Sequence, residues 1–258
     1  KLEWLELNGA GYGNQGAACF SQSTSVHSSD RTKQVCANLL VTAGGNSERF
    51  IHGIHARARP LTVLNCIVYD IESENRSGSI HAVGIGGDDK MDILNCTVHN
   101  VAYDSDGSSG EAYGIGAYVN NANAKVQNCI VTSTTGSAGE FFDYEGSLSS
   151  AGTATYNLSS DSTATGTGSL PSKAAANQFV NTTGGSEDLH LKNNADALRA
   201  GVDLGTTPSG VEIDIDGRNR DSSGDTWDMG ADQCESCSTS AGTVVPQIMN
   251  TYKQMAGY

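Results

Sequence analysis

Asn38-Leu39-Leu40-Val41 returns as Asn65-Cys66-Ile67-Val68, then as Asn95-Cys96-Thr97-Val98 and Asn128-Cys129-Ile130-Val131, with a fainter echo at Asn157-Leu158-Ser159-Ser160. The intervals are 27, 30, 33 and 29 residues. A second word runs in step with the first: Gly53-Ile54-His55-Ala56, Gly84-Ile85-Gly86-Gly87 and Gly114-Ile115-Gly116-Ala117. Two words locked at a nearly constant offset mark one supersecondary unit repeated along the chain.

Around each Asn the apolar residues alternate, as in Val63, Cys66 and Val68 or Ile93, Cys96 and Val98. Short period-two runs rich in β-branched residues predict strands. Asn tolerates the left-handed backbone, so it predicts a sharp bend between two strands. One such unit cannot bury its own apolar face, whereas stacked units can. Stacking predicts rows of equivalent side chains. Val41, Val68, Val98 and Val131 form one internal row; Leu39, Cys66, Cys96, Cys129 and Leu158 form another. Asn38, Asn65, Asn95, Asn128 and Asn157 form a row of bends, their amides hydrogen-bonded along the stack. In the second word, alternation puts His52, Val83 and Tyr113 inside, together with Ile54, Ile85 and Ile115. It leaves Gly53, Gly84 and Gly114 outside with His55, Gly86 and Gly116, a nearly bare strip.

The repeats are followed by NQFVNTTGGSEDLHLKNNADALRAGVDLG at 177–205 and DIDGRNR…WDMGAD at 214–232. Repeats and ending together resemble a right-handed parallel β-helix of the pectate-lyase-like type. More narrowly, they resemble secreted and phage-associated β-helix proteins, in which an Asp usually stands where this chain has Asn177. The resemblance implies an all-β class: a right-handed parallel β-helix solenoid of about five to six coils, an irregular C-terminal segment and a short amphipathic tail. The corresponding divisions are 1–170 for the coils, 171–233 for the C-terminal segment and 234–258 for a linker and docking tail. It specifies activity poorly, since such folds carry lyases, hydrolases, epimerases, adhesins and inert fibres.

Composition narrows the classes. Aromatic residues make up only 6% and glycines number 31, which suits a narrow solenoid core with many turns. The net charge of −14 argues against nucleic acid, which needs a basic face. No apolar run approaches the roughly eighteen residues of a membrane span. Lys1 to Leu7 already alternate like a strand, so we expect either a removed leading segment or an end that stacks on something else. Cys66, Cys96 and Cys129 are expected as buried free thiols. Cys234 and Cys237 form a lone CxxC, expected as a local disulfide or two exposed thiols. At the end of the chain, Val244, Val245, Ile248, Met249, Tyr252 and Met255 recur at near-helical spacing, a short docking stretch.

Candidate chemistry is sparse. His55, followed by Arg57 and Arg59 and bordered by His81 and Glu111, is the one constellation suited to proton transfer. Asp104 with Asp106, and Asp214 with Asp216, each offer two carboxylates before a Gly, a spacing that suits calcium, although a turn or an Asp216 pairing with Arg218 or Arg220 competes. No other cofactor is expected. Tyr69, His99, Tyr103 and Tyr118 are candidate glycan contacts. The leading expectation is a non-catalytic structural or assembly protein, extracellular, on a cell surface or on a virion, that docks to itself or to a neighbouring subunit and contacts glycans. The alternatives are a polysaccharide lyase, epimerase or hydrolase on the Gly-Ile-Gly sheet, and a carbohydrate-binding adhesin.

Overall fold

A computed structural model describes residues 2–9, 16–19, 34–46, 50–56, 60–74, 80–87, 90–104, 110–117, 124–137, 139–146, 148, 153–220, 226–234 and 237. The described chain is almost entirely strand and turn. It runs β1 (Leu2–Gly9), β2 (Gly16–Cys19), β3 (Gln34–Asn46), β4 (Phe50–Ala56), β5 (Leu61–Leu64), β6 (Ile67–Glu74), β7 (Ile80–Gly87), β8 (Met91–Leu94), β9 (Thr97–Asp104), β10 (Gly110–Ala117), β11 (Lys125–Gln127), β12 (Ile130–Gly136), β13 (Gly139–Tyr144), β14 (Thr153–Thr155), β15 (Leu158–Ser159), β16 (Phe179–Asn181) and β17 (Asp188–Leu191).

Two parallel sheets carry the repeats. The long strand β3 joins two arms of the first sheet: one runs through β5, β8, β11 and β14, the other through β6, β9, β12 and β15. The second sheet runs β13-β10-β7-β4-β2. Val41, Val68, Val98 and Val131 are successive register partners, and all four are fully buried. Each such burial is worth about 1.5–3 kcal/mol relative to exposure. Leu39, Cys66, Cys96 and Cys129 are equally buried, and the three cysteines are free thiols. Burial pushes the Cys66 and Cys129 thiols well above the usual cysteine range, so they act as small apolar residues.

The bends carry the left-handed backbone the sequence calls for. Asn38, Asn65, Asn95 and Asn128 have φ of 53, 50, 51 and 55°. The last repeat departs from this. Its left-handed residue is Tyr156, not Asn157, at φ 55°. Leu158 is accordingly the partner of Ile130, not of Cys129. A shift of one residue moves every side chain to the opposite face. Asn157 therefore points inward, where its Nδ2 donates to the Val126 carbonyl at 2.8 Å and its Oδ1 accepts the Cys129 N–H at 2.9 Å. Leu158 packs outside with Ile67 and Ile130. A second set of left-handed bends, Asp70, Asn100 and Ser133, interrupts the following strands and is also polar. Asn100 Nδ2 donates to Asp70 Oδ1 at 2.7 Å.

The C-terminal segment lies on the outside of the first sheet, across the Asn bends. Phe179, Leu189, Leu191, Met229 and Ala231 cover Ile67, Ile130 and Leu158. Val211 and Trp227 cover Leu64 and Leu94. The Asn row does two jobs at this seam. Asn95 Nδ2 donates to Asn65 Oδ1, and Asn128 Nδ2 to Asn95 Oδ1, both at 3.1 Å. The same three amides also donate to the carbonyls of Gly210, Val211 and Val202 at 2.8, 2.8 and 2.7 Å. The row thus joins neighbouring repeats and clasps the segment that covers them. Cys234 and Cys237 are joined by a disulfide.

Candidate functional site

The second sheet is where the repeat could present chemistry; its isoleucines lie inside as expected, but the Gly53, Gly84 and Gly114 row and the His52, Val83 and Tyr113 row exchange places. A Cβ built on Gly53 would lie 2.5 Å from Val68 Cγ1; on Gly84, 2.5 Å from Val98 Cγ1; on Gly114, 2.0 Å from Val131 Cγ1. These glycines therefore face the valine row and the interior. Ile54, Ile85 and Ile115 belong to that same core, as do Ile51, Ala82 and Ala112. Strict alternation cannot put both a glycine and its following isoleucine inside, so the alternation breaks between them. Glycine permits this because only a missing side chain leaves room for the valine methyl. His52, Val83 and Tyr113 consequently fall outside, in the company of His55, Gly86 and Gly116. A Cβ on Gly86 would sit 3.0 Å from Val83 Cγ1 and 3.8 Å from His55 Cδ2, and one on Gly116 3.1 Å from Tyr113 Cβ. Of the expected bare strip, the Gly53, Gly84 and Gly114 row is a buried seam, while Gly86 and Gly116 keep the outer face beside His52, Val83 and Tyr113.

Two rows line that face. His81, Glu111 and Glu140 are successive partners, as are His52, Val83, Tyr113 and Phe142. His81 Nδ1 lies 2.8 Å from Glu111 Oε2. Tyr113 O–H donates to Glu140 Oε2 at 3.4 Å. The rings of Tyr113 and Phe142 stack at 6.5 Å with 17° between planes. Tyr113 is buried, as are Val83, His52 and His55 on the same face, whereas Phe142 is 39% and its neighbour Phe141 43% exposed. Burial, and then the negative charges of Glu111, Glu145 and Glu140, drive the Tyr113 phenol far above its ordinary range. It stays a neutral hydrogen-bond donor. Further along, His52 stacks on His55 at 4.3 Å. Burial, with His55 and His81 nearby, holds the His52 imidazole well below its usual range, so it is neutral at pH 7.

The sequence-level candidates scatter. His55 is on the outer face, but Arg57 and Arg59 lie outside the described residues, as do Tyr118, Asp106 and the 238–258 tail. Tyr103 is only 2% exposed and belongs to the interior core. Tyr69, His99 and Thr132 do share a row, but that row lies under the C-terminal segment. His99 Nδ1 is 2.9 Å from Thr132 Oγ1, and Phe179 meets the imidazole edge-on at 5.8 Å. Neither His99 nor Tyr103 offers a ring to solvent. Asp104 is exposed at the end of β9. Asp214 and Asp216 do not converge. Asp214 is fully buried; its Oδ1 accepts the N–H groups of Asp216 and Arg218 at 3.0 and 2.7 Å, and its Oδ2 that of Gln233 at 3.3 Å. Asp216 turns away to Arg218 Nη1 at 2.9 Å. Asp214 closes a turn with its whole carboxylate.

Sequence reading passed over Glu140, Tyr113 and Phe142 as a group. The signal was present: Gly110-Glu111-Ala112-Tyr113 returns as Gly139-Glu140-Phe141-Phe142. Among the described residues no helix is long and apolar enough to cross a membrane. No family model, curated protein or solved structure matches the chain.

Proposed function

We propose that the stacked sheets are turns of a right-handed parallel β-helix. We infer that the protein is a non-catalytic surface module, outside the cell or on a virion, whose outer sheet face holds a neutral glycan. The observation that carries this reading is the Tyr113–Phe142 stack, with Glu111 and Glu140 on adjacent rungs beside it. An exposed aromatic ring accepts the apolar face of a sugar, and carboxylates accept its hydroxyl protons. The net charge of −14 argues for a neutral glycan over a uronate. The Cys234–Cys237 disulfide supports an oxidising setting. The exposed Phe141 and Phe142 also lie on β13, the end strand of its sheet, and would serve self-assembly.

The test is a glycan array followed by calorimetry. Phe142→Ala and Glu140→Gln should each weaken binding about tenfold while leaving the melting temperature unchanged. Sedimentation of the same samples reports self-association. If no neutral glycan binds, or if both variants bind like the parent, this reading fails. One observation favours a second reading, hydrolysis. Adjacent rungs lie about 4.8 Å apart, and paired carboxylates in retaining glycosidases are about 5–5.5 Å apart. Release of reducing ends, abolished by Glu140→Gln with binding retained, would select it.

A further inference from the structure

The buried ionic cluster of the C-terminal segment holds a feature that its internal pairing does not explain. Three stretches meet there: β17, the turn at 214–217 and the strip ending at Asp232. His190 is buried, and its Nδ1 lies 2.5 Å from Asp188 Oδ1. The other ring nitrogen, Nε2, faces Asp216, with oxygens at 3.3 and 3.4 Å. Asp232 is 3% exposed. Its Oδ2 accepts the Leu191 N–H at 2.8 Å, while its Oδ1 is buried and has no hydrogen-bond partner among the described residues. A buried carboxylate oxygen left without a partner keeps its full desolvation penalty. Yet ligand atoms of His190, Asp216 and Asp232 lie within 4.8 Å of one another.

We propose that His190 Nε2, Asp216 and Asp232 Oδ1 bind one divalent cation of the zinc class, which ties the three stretches of the C-terminal segment together. The ligand set selects the ion. Calcium takes about six to eight oxygens, whereas one imidazole nitrogen with two carboxylates suits zinc or its first-row neighbours. The arrangement behind the ligands agrees. An imidazole that binds a metal through one nitrogen gives its other N–H to a carboxylate, and Asp188 is placed to take it. Asp188 is thus a positioning residue. Arg218, 2.9 Å from Asp216 Oδ2, balances the negative charge from outside the triad. This site lies apart from the outer sheet face, so it stands or falls independently of glycan binding.

The purified chain, stripped with chelator and dialysed, is titrated with zinc chloride by calorimetry, and bound metal is counted by mass spectrometry. One equivalent should bind, and the melting temperature should rise. His190→Gln and Asp232→Asn should each lower affinity at least tenfold, and Asp188→Asn should lower it about tenfold with the stoichiometry kept. Cobalt bound to the unmutated protein supplies a readout that survives a misfolded variant. It should show the visible bands of a nitrogen–oxygen site with no thiolate charge-transfer band. Absence of zinc binding at millimolar metal, a thiolate band in the cobalt spectrum, or undiminished affinity in both ligand variants would each overturn the proposal.

Discussion

Gly84→Ala tests which way the glycine row faces. The added Cβ would lie 2.5 Å from Val98 Cγ1 and 2.6 Å from the Gly114 carbonyl oxygen. Neither neighbour yields cheaply. Val98 is fully buried and β-branched, so its χ1 has little freedom. The carbonyl belongs to β10, whose flanking residues pair with β7 on one side and β13 on the other. Overpacking costs about 1–3 kcal/mol, and two hard contacts place this case near the top. The loss of glycine freedom in the unfolded chain returns about 0.4–1 kcal/mol. The expected net loss is about 2 kcal/mol, read as a lowered midpoint in urea with unchanged slope. A double-mutant cycle identifies the cause. Val98→Ala alone should cost about 2 kcal/mol through its cavity. Combined with Gly84→Ala, it should cost about 1–2 kcal/mol less than the two single losses added. Gly184→Ala is the control, because its nearest atom is Glu187 Oε1 at 3.9 Å. If Gly84→Ala lies within about 0.5 kcal/mol of the parent and the cycle is additive, the glycines face outward and the assignment of the site face is wrong.

Other expectations follow from the clasp. Asn95→Ala should cost about 3 kcal/mol or more in urea unfolding, because it strains a left-handed residue and strands Val211, Asn128 and Asn65 groups; Asn95→Gly, which relieves only the backbone, should recover about 1 kcal/mol of that loss. Trp227→Ala should cost about 3–5 kcal/mol, since Trp227 is 1% exposed, covers Leu64 and Leu94, and lies 5.8 Å from the Arg220 guanidinium. Asp228 is pushed up to about 6 by burial, against the N–H groups of Arg199 and Cys234 that favour its charged form. Its folded value exceeds the unfolded one, so folding holds an extra proton between about pH 4 and pH 6, and stability falls as pH rises through that window by about 3 kcal/mol. Asp228→Asn should remove this fall, narrowing the gap to the parent as pH rises; a gap that widens instead would mean the carboxylate is stabilised in its charged form. In chelator, the His190 imidazole, raised to about 10 by Asp188 and Asp216 against its burial, adds stability that is complete below about pH 6.5 and lost towards pH 10. His190→Gln should flatten that limb of the melting profile.

Much of the architecture was legible because it is local. Asn before an apolar pair needs a left-handed bend, and four of the five Asn residues named for that role have one. The valines share a row because side chains alternate with period two on either side of the bend. Where reading failed, a nonlocal contact had overruled the alternation. Tyr156 takes the bend in the last repeat because Asn157 satisfies the Cys129 N–H and the Val126 carbonyl better from inside. Tyr69 and His99 look like surface residues in their own strands, and nothing nearby announces that Phe179 will cover them.

The repeated words were enough to show that this chain stacks like units in register, because they impose repeated local conformations and an interior that only neighbours can complete. Which side of the Gly-Ile strand meets the interior was settled only by packing, since it turns on the methyl of a valine two strands further along the chain. Packing also decided that His190, Asp216 and Asp232 meet. These residues come from three stretches of the C-terminal segment, distant in sequence, which are brought together where that segment lies across the first sheet.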